Sequence, residues 1–377
     1  MNKKIQNNTA PESSELRLGF VPLTDCAPVV MALELGLYAR HGLKVRLSRE
    51  LGWATVRDKM VYGELEASHA LAAMPLTATL GLGSIAVDCC TALVMSLHGN
   101  AITLSKDLWD RKVRDGESLR EHIRSSRRNG LLTFGAVFPF SSHRQLLRKW
   151  LGQHGIDPER DVRIVTVPPP QLAANLKAGN LDGFCSGEPW NSVAVEAGAG
   201  WIAATSGELD SHHPEKVLMV RNEFAIRREP ELLALVRALV EACAFCQNPA
   251  NHRAVAEVLS RPGYIGVDAD TLVRGLGGRL DTGPAGFRNF PGFIMFHGPK
   301  ANEPSPEKAA WLFDLVRSSG ISLDPAMMSF ELCRRVYRAD LFNKALHSTS
   351  ALPLAGGVEE ATPGPNSRKA SPVLSNA

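Results

Sequence analysis

The sequence predicts an α/β protein built from two similar lobes, and a repeated pattern carries that expectation. Residues 168–190, PPPQLAANLKAGNLDGFCSGEPW, read as a turn, a short amphipathic helix with Leu172 and Leu176 at i, i+4 spacing, a glycine stop at Gly179, a buried strand around Phe184 and Cys185, and a turn. Pro189 cannot continue a central ladder, so the strand ends at Gly187-Glu188-Pro189. Residues 57–75, RDKMVYGELEASHALAAMP, read the same way, with Gly63, Leu65-Glu66-Ala67 and Pro75 matching Gly179, Leu181-Asp182-Gly183 and Pro189.

The upstream segments repeat too. LRLGFV (16–21) and LLTFGA (131–136) are strands, each followed by a loop, a helix and a His-Gly-apolar stop at His41-Gly42-Leu43 and His154-Gly155-Ile156. The offset is 116 for Gly19/Gly135, 113 for Gly42/Gly155 and 116 for Gly63/Gly179. Near-equal offsets over three landmarks are the mark of an internal repeat.

Composition is that of a soluble globular chain: 377 residues, 44% hydrophobic and 21% charged, enough for a large core. A net charge of +3 with scattered basic residues does not suggest nucleic acid. The densest basic cluster, RSSRR at 124–128, reads as a solvated helix end. Seven cysteines without disulfide-like spacing fit a reducing compartment. Cys243 and Cys246 form C-x-x-C inside a helical run without a second ligand pair, so they read as core, and neither metal nor cofactor is expected. No apolar run reaches the roughly 18 residues a membrane span needs.

Along the chain, residues 1–14 are polar and expected to be disordered. Pro28 opens a helix to about residue 39, KVRL (44–47) is a strand, and Thr55 is a candidate cap for the following helix. Residues 86–97 form an apolar strand and 107–129 an amphipathic surface segment. Ser141 or Ser142 caps the helix over 142–153, and free N–H groups at such an end suit an anion. Residues 161–167 and 201–205 are strands, 212–216 a turn, 231–246 a strong helix, and 275–296 a Gly-rich loop region. From 348 to 377 the chain is rich in Pro, Gly, Ser and Ala, and disorder is expected. The first lobe is thus expected to comprise 15–100 plus 222–345, with the second lobe, 105–220, inserted between them. A cleft between lobes is the default ligand site.

Five stretches carry a family resemblance: GFVPLTDCAPVVMALELGLYARHGL, WATVRDKMVYGELEASHALAAMPLTATLGLG, NAITLS, VPPPQLAANLKAGNLDGFCSGEPWN and HPEKVLMVRNEF. Together they resemble the nitrate- and bicarbonate-binding (NrtA/CmpA-like) proteins of ABC transporters, over about residues 16–346. The resemblance implies a type II periplasmic-binding-protein fold, two Rossmann-like lobes around a ligand cleft, closing on one small oxyanion. It places ligand contacts at Trp53 (WATVRDK), His143 (SSH), the Gly187 backbone (SGEPW) and Lys216 (HPEKV). The family's Gln-Ala-Ile-Thr is Asn100-Ala101-Ile102-Thr103 here, so Asn100 keeps the amide one methylene shorter. Lys216, where bicarbonate-binding relatives carry an acidic residue, favours nitrate or nitrite.

Residues 1–15, MNKKIQNNTAPESSE, show no apolar signal-peptide core and no cleavage site, so the expectation is a cytoplasmic protein. In that respect the chain is similar to NasS-type nitrate/nitrite sensors, which sequester the RNA-binding antiterminator NasT. The sequence thus suggests a sensor gated by cleft closure, with the receptor of a nitrate ABC transporter, working with a permease and ATPase, as the alternative. An enzyme is not expected: thiamine-pyrimidine synthases share the broad fold, but their Cys-rich motif is missing and no nucleophile–base pair stands out.

Overall fold

In the computed structural model, residues 15–126, 130–210, 213–317 and 329–347 are described. The expected disorder at 1–14 and 348–377 lies outside them. The strands are β1 (Leu16–Phe20), β2 (Val45–Arg49), β3 (Ala67–Leu71), β4 (Cys89–His98), β5 (Asn100–Ser105), β6 (Leu132–Ala136), β7 (Val162–Thr166), β8 (Gly183–Gly187), β9 (Gly200–Thr205), β10 (Pro214–Arg221), β11 (Arg279–Asp281), β12 (Phe287–Asn289) and β13 (Ile294–Met295). They form two main sheets, ordered β13-β4-β10-β3-β1-β2 and β7-β6-β8-β5-β9, and a small β11-β12 hairpin.

The two sheets share one plan. In the first, β1 pairs parallel with β2 and β3, and β10 runs antiparallel between β3 and β4. In the second, β6 pairs parallel with β7 and β8, and β5 runs antiparallel between β8 and β9.

The repeat has physical causes that recur in each copy. A Cβ on Gly19 would stand 2.5 Å from Leu65 Cδ1, and one on Gly135 would stand 2.7 Å from Leu172 and 3.0 Å from Leu181, so in both copies a larger residue would have to push leucine tips aside where the crossover presses in. Glu66 accepts the Arg17 N–H at 2.8 Å, and Asp182 accepts the Thr133 N–H at 2.7 Å. The Leu-Glu-Ala and Leu-Asp-Gly triplets therefore clamp the start of the neighbouring strand in the same manner. Gly63 (φ +77°) and Gly179 (φ +76°) take the left-handed conformation that ends each preceding helix.

Several sequence expectations shift. The helix expected from Pro28 to residue 39 is two, Ala27–Glu34 and Leu37–Arg40, broken at Gly36 with φ +66°. Helix Trp53–Val61 starts before Thr55, with extended Gly52 at its N-cap. Ser141, not Ser142, caps helix Ser142–Gln153 by accepting from the Arg144 N–H. The amphipathic segment divides into Lys106–Asp110 and Gly116–Ser126. The Gly-rich region contains the β11-β12 hairpin and edge strand β13.

The lobe boundaries at 100 and 220 also move. Asn100 already belongs to the second sheet, and residues 214–221 belong to the first. Only Gly99 separates β4 from β5, and His98 and Gly99 turn the chain with φ of +60° and +91°. Each sheet takes its antiparallel strand from beyond the crossing, a pairing between residues distant in sequence that local patterning does not reveal.

Packing follows the layers. Helix Glu229–Gln247 buries Leu232, Leu235, Val236, Leu239 and Cys243 in the same core as β1 and β4. A separate core within the second lobe joins Ile102, Phe134, Leu147 and Trp150. Among the described residues no helix is long and apolar enough to cross a membrane.

Candidate functional site

The carboxyl ends of parallel strands in an open α/β sheet are where ligands sit. Here those ends meet the beginnings of the two antiparallel strands. Lys216 in β10 registers with Leu71 at the end of β3, and Asn100 in β5 registers with Gly187 at the end of β8. Two loops bring the lobes together at this edge. The Thr24 N–H donates to the Glu188 carbonyl at 2.7 Å, and Trp190 Nε1 donates to the Pro22 carbonyl at 3.0 Å. The Gly-Glu-Pro-Trp turn of the second lobe is thereby docked on the Pro-Leu-Thr-Asp loop of the first.

All five residues expected to touch a ligand converge there. Lys216 Nζ lies 5.4 Å from the centroid of the Trp53 ring. Asn100 Nδ2 donates to Glu215 Oε2 at 2.7 Å, and His143 Nε2 lies 3.6 Å from Glu215 Oε1. A Cβ on Gly187 would stand 3.4 Å from both Asn100 Oδ1 and Leu23, and 3.6 Å from Asp25 Oδ2. Asn100, His143, Glu215 and Lys216 are each 0% exposed, so the Lys216 and Glu215 charges face each other rather than water.

The structure adds residues that the sequence reading did not single out. Lys216 Nζ is 2.7 Å from Asp25 Oδ2 and donates to Glu215 Oε1 at 2.7 Å. Ser142 Oγ donates a short hydrogen bond to Glu215 Oε2. His69 Nε2 stands 3.1 Å from Asp25 Oδ1 and His213 Nε2 3.4 Å from Glu215 Oε2, neither aligned as a hydrogen bond. The available signal was local: Asp25 lies in the quoted PLTDC segment and Glu215 beside Lys216 in HPEK. What hid Glu215 was the reading of 212–216 as a turn, whereas 214–216 begin a buried strand.

The charges hold one another in place. Burial alone would raise the Asp25 carboxyl, but the Lys216 ammonium and then His69 hold it below its ordinary value. Burial likewise works against Glu215, and Lys216, His143 and His213 keep it well below the usual carboxylate range. Burial would lower Lys216, but Asp25 and Glu215 raise it above an ordinary lysine. His143 is pushed down to about 4, first by burial, with Glu215 opposing, and so is neutral near pH 7. Glu188 accepts the Ser192 N–H at 3.2 Å, and burial raises its carboxyl to about 7.

Some polar atoms are left over. Trp53 Nε1 and both ring nitrogens of His143 are buried without a hydrogen-bond partner, and so is Asn100 Oδ1. An unpaired buried polar group costs roughly 1–3 kcal/mol, so several around one lysine call for a group that satisfies them. Among the described residues, no set of three or more His, Cys, Asp or Glu side chains is arranged to hold a metal ion. Cys243 is core, its thiol turned to the Met95 carbonyl.

The model of the NMT1-like family matches residues 9–260, more than half of the chain. The chain belongs to the NMT1-like family. Within it, the chain belongs with the NrtA-like substrate-binding proteins. It is 31% identical to the nitrate/nitrite binding protein NrtA of Synechococcus elongatus, over 89% of this chain and 78% of that one. It is 39% identical, over 89% of its own length, to the nitrate import ATP-binding protein NrtC of Synechocystis. The chain spans about half the length (50%) of that curated relative. The fold matches the crystal structure of the periplasmic nitrate-binding protein NrtA from Synechocystis, with a TM-score of 0.84, 27% identity and 89% of each chain covered. The family's NrtA-like members are binding proteins, and the two-lobed α/β architecture is theirs.

Proposed function

We propose that this chain binds nitrate or nitrite between its two lobes and acts as a cytoplasmic sensor rather than an enzyme. The observation that carries the reading is the set of orphaned buried groups, Trp53 Nε1 and the His143 ring, around the Lys216 ammonium. A small planar oxyanion supplies acceptors on all sides, and ammonium, indole and imidazole supply donors. The Asn100 amide and the edge at Gly187 complete the wall. The similarity to nitrate/nitrite binding proteins points to the same anion.

The sensor reading rests on two further points. Ligand-facing groups come from both sheets, so occupancy is linked to lobe arrangement, the element a protein partner can read. The 39% match falls on part of a nitrate import ATP-binding protein rather than on a separate binding protein. The partner proposed is a NasT-like RNA-binding antiterminator. A second reading, the receptor of a nitrate ABC transporter, is favoured by the match to NrtA over 78% of its length.

Titration calorimetry with nitrate, nitrite and bicarbonate on the full chain tests the shared core of both readings. Saturable binding of nitrate or nitrite is expected. Absence of heat with both, or binding of bicarbonate alone, overturns it.

A further inference from the structure

The charge balance of the cluster does not suit a bare anion. Asp25 and Glu215 face Lys216 at 2.7 Å each, two carboxylates against one ammonium. These three side chains sum to one negative charge, buried in the cluster. A nitrate ion entering it adds a second, and like charges a few ångströms apart in a site of low dielectric repel strongly. Some group must become more positive as the anion enters.

His143 is the ring placed to do so. It sits in the first turn of helix Ser142–Gln153, 0% exposed, with neither ring nitrogen hydrogen-bonded. Glu215 and Lys216 face it from β10, His213 from the residue before that strand, and Asp25 from the loop after β1. His69 on β3 stands against Asp25, and His213 has one nitrogen 3.0 Å from the Asp210 carbonyl. Cys185 on β8 faces Glu215 as a neutral thiol, its ionisation pushed far up by burial. Arg144 on the same helix turns to the Ile164 carbonyl, and Glu208 on helix Ser206–Leu209 is taken by Thr205. Glu188 runs toward Gly275. His69 likewise has neither nitrogen hydrogen-bonded, but it stands against Asp25 at 3.1 Å; His143 is the ring that the SSH motif sets on the anion, with Glu215 Oε1 at 3.6 Å to share an added proton.

We propose that anion binding at this site takes up one proton, carried by His143, so that the protein binds its anion as the equivalent of the acid. The inference rests on the nitrate or nitrite reading above. Without ligand, burial keeps the ring neutral down to about pH 4. An anion beside it favours the imidazolium and raises that value. Between the free and bound values the affinity falls about tenfold per pH unit as pH rises, because each bound anion carries a proton with it.

The test uses the wild-type full chain and nitrate, which does not itself titrate in this range. Calorimetry is run at pH 5.5, 6.5 and 7.5, each in two buffers of different ionisation enthalpy. Expected are affinity weakening about tenfold from pH 5.5 to 6.5 and a buffer-dependent heat equal to uptake of about one proton. In the same protein, histidine ring nitrogen NMR should show one imidazole becoming imidazolium on adding nitrate. His143→Gln, which keeps a donor but cannot take a proton, should bind with a pH-independent affinity. Nitrate binding with no pH dependence and no buffer effect overturns the proposal and leaves the anion reading standing. Undiminished uptake in His143→Gln overturns the assignment to His143. Failure of nitrate to bind at any pH overturns both.

Discussion

Asn100 and Lys216 occupy the same register position in the two sheets, and both donate to Glu215. Asn100 opens β5 opposite Gly187, Lys216 lies near the start of β10 opposite Leu71, and each reaches the Glu215 carboxylate at 2.7 Å. The repeat therefore delivers one amide and one ammonium, from different lobes, to a single buried carboxylate.

Removing the ammonium should be felt first in stability. Lys216→Met leaves Asp25 and Glu215 facing each other without their cation. Breaking a buried ion pair by removing one partner costs about 3–5 kcal/mol, and nitrate binding should be lost with it. Adding Asp25→Asn should recover part of the stability. Urea unfolding of the single and double variants measures this, and a loss below about 1 kcal/mol for Lys216→Met would show that the ammonium is not the counter-charge.

Gly187→Ala should separate folding from binding. Its nearest neighbours would be at 3.4 Å, an ordinary contact, so the fold should tolerate it. The methyl group would occupy space beside Asn100 and Asp25, where overpacking costs about 1–3 kcal/mol once an anion is present. An unchanged melting temperature with nitrate affinity reduced at least about fivefold is expected. Equal affinity would place the anion elsewhere.

Glu188 gives a pH signature of opposite sign to the paired carboxylates. Its folded value is raised to about 7, above that of the unfolded chain, so its contribution is fully present below about pH 4.5 and lost as pH rises through 7. Glu188→Gln keeps the acceptor for Ser192 and removes the ionisation. The variant should gain on wild type by roughly 3 kcal/mol between pH 4.5 and pH 8, before relaxation reduces it. Denaturant midpoints at the two pH values decide, and a constant difference would mean that Glu188 does not titrate on unfolding.

The sensor proposal predicts release of a partner. A protein that prefers the unliganded lobe arrangement must lose affinity when nitrate or nitrite binds, and a coupling of roughly 1–3 kcal/mol gives a 5–150-fold change. Size-exclusion chromatography of the native complex with and without nitrate should show dissociation of a small RNA-binding protein. Recovery of the chain from the periplasm without such a partner would favour the receptor reading instead.

The sequence by itself determined the repeat and its punctuation, because these rest on short-range rules. Gly63 and Gly179 end helices for lack of a Cβ, Leu65-Glu66 and Leu181-Asp182 sit at fixed spacing before a strand, and Pro189 stops β8. It also placed Trp53, Asn100, His143, Gly187 and Lys216 as candidates for one site, through the family resemblance of the short motifs around them. Only the tertiary structure decided which sheet Asn100 and Lys216 belong to, since β5 and β10 pair with strands about 80 residues away in one case and more than 140 in the other. It alone brought Asp25 to Lys216 and three histidines around Asp25 and Glu215. A charge in a linear sequence has no sign of its burial or its partners, and those two quantities, fixed by packing over long separations, set what this cleft can hold.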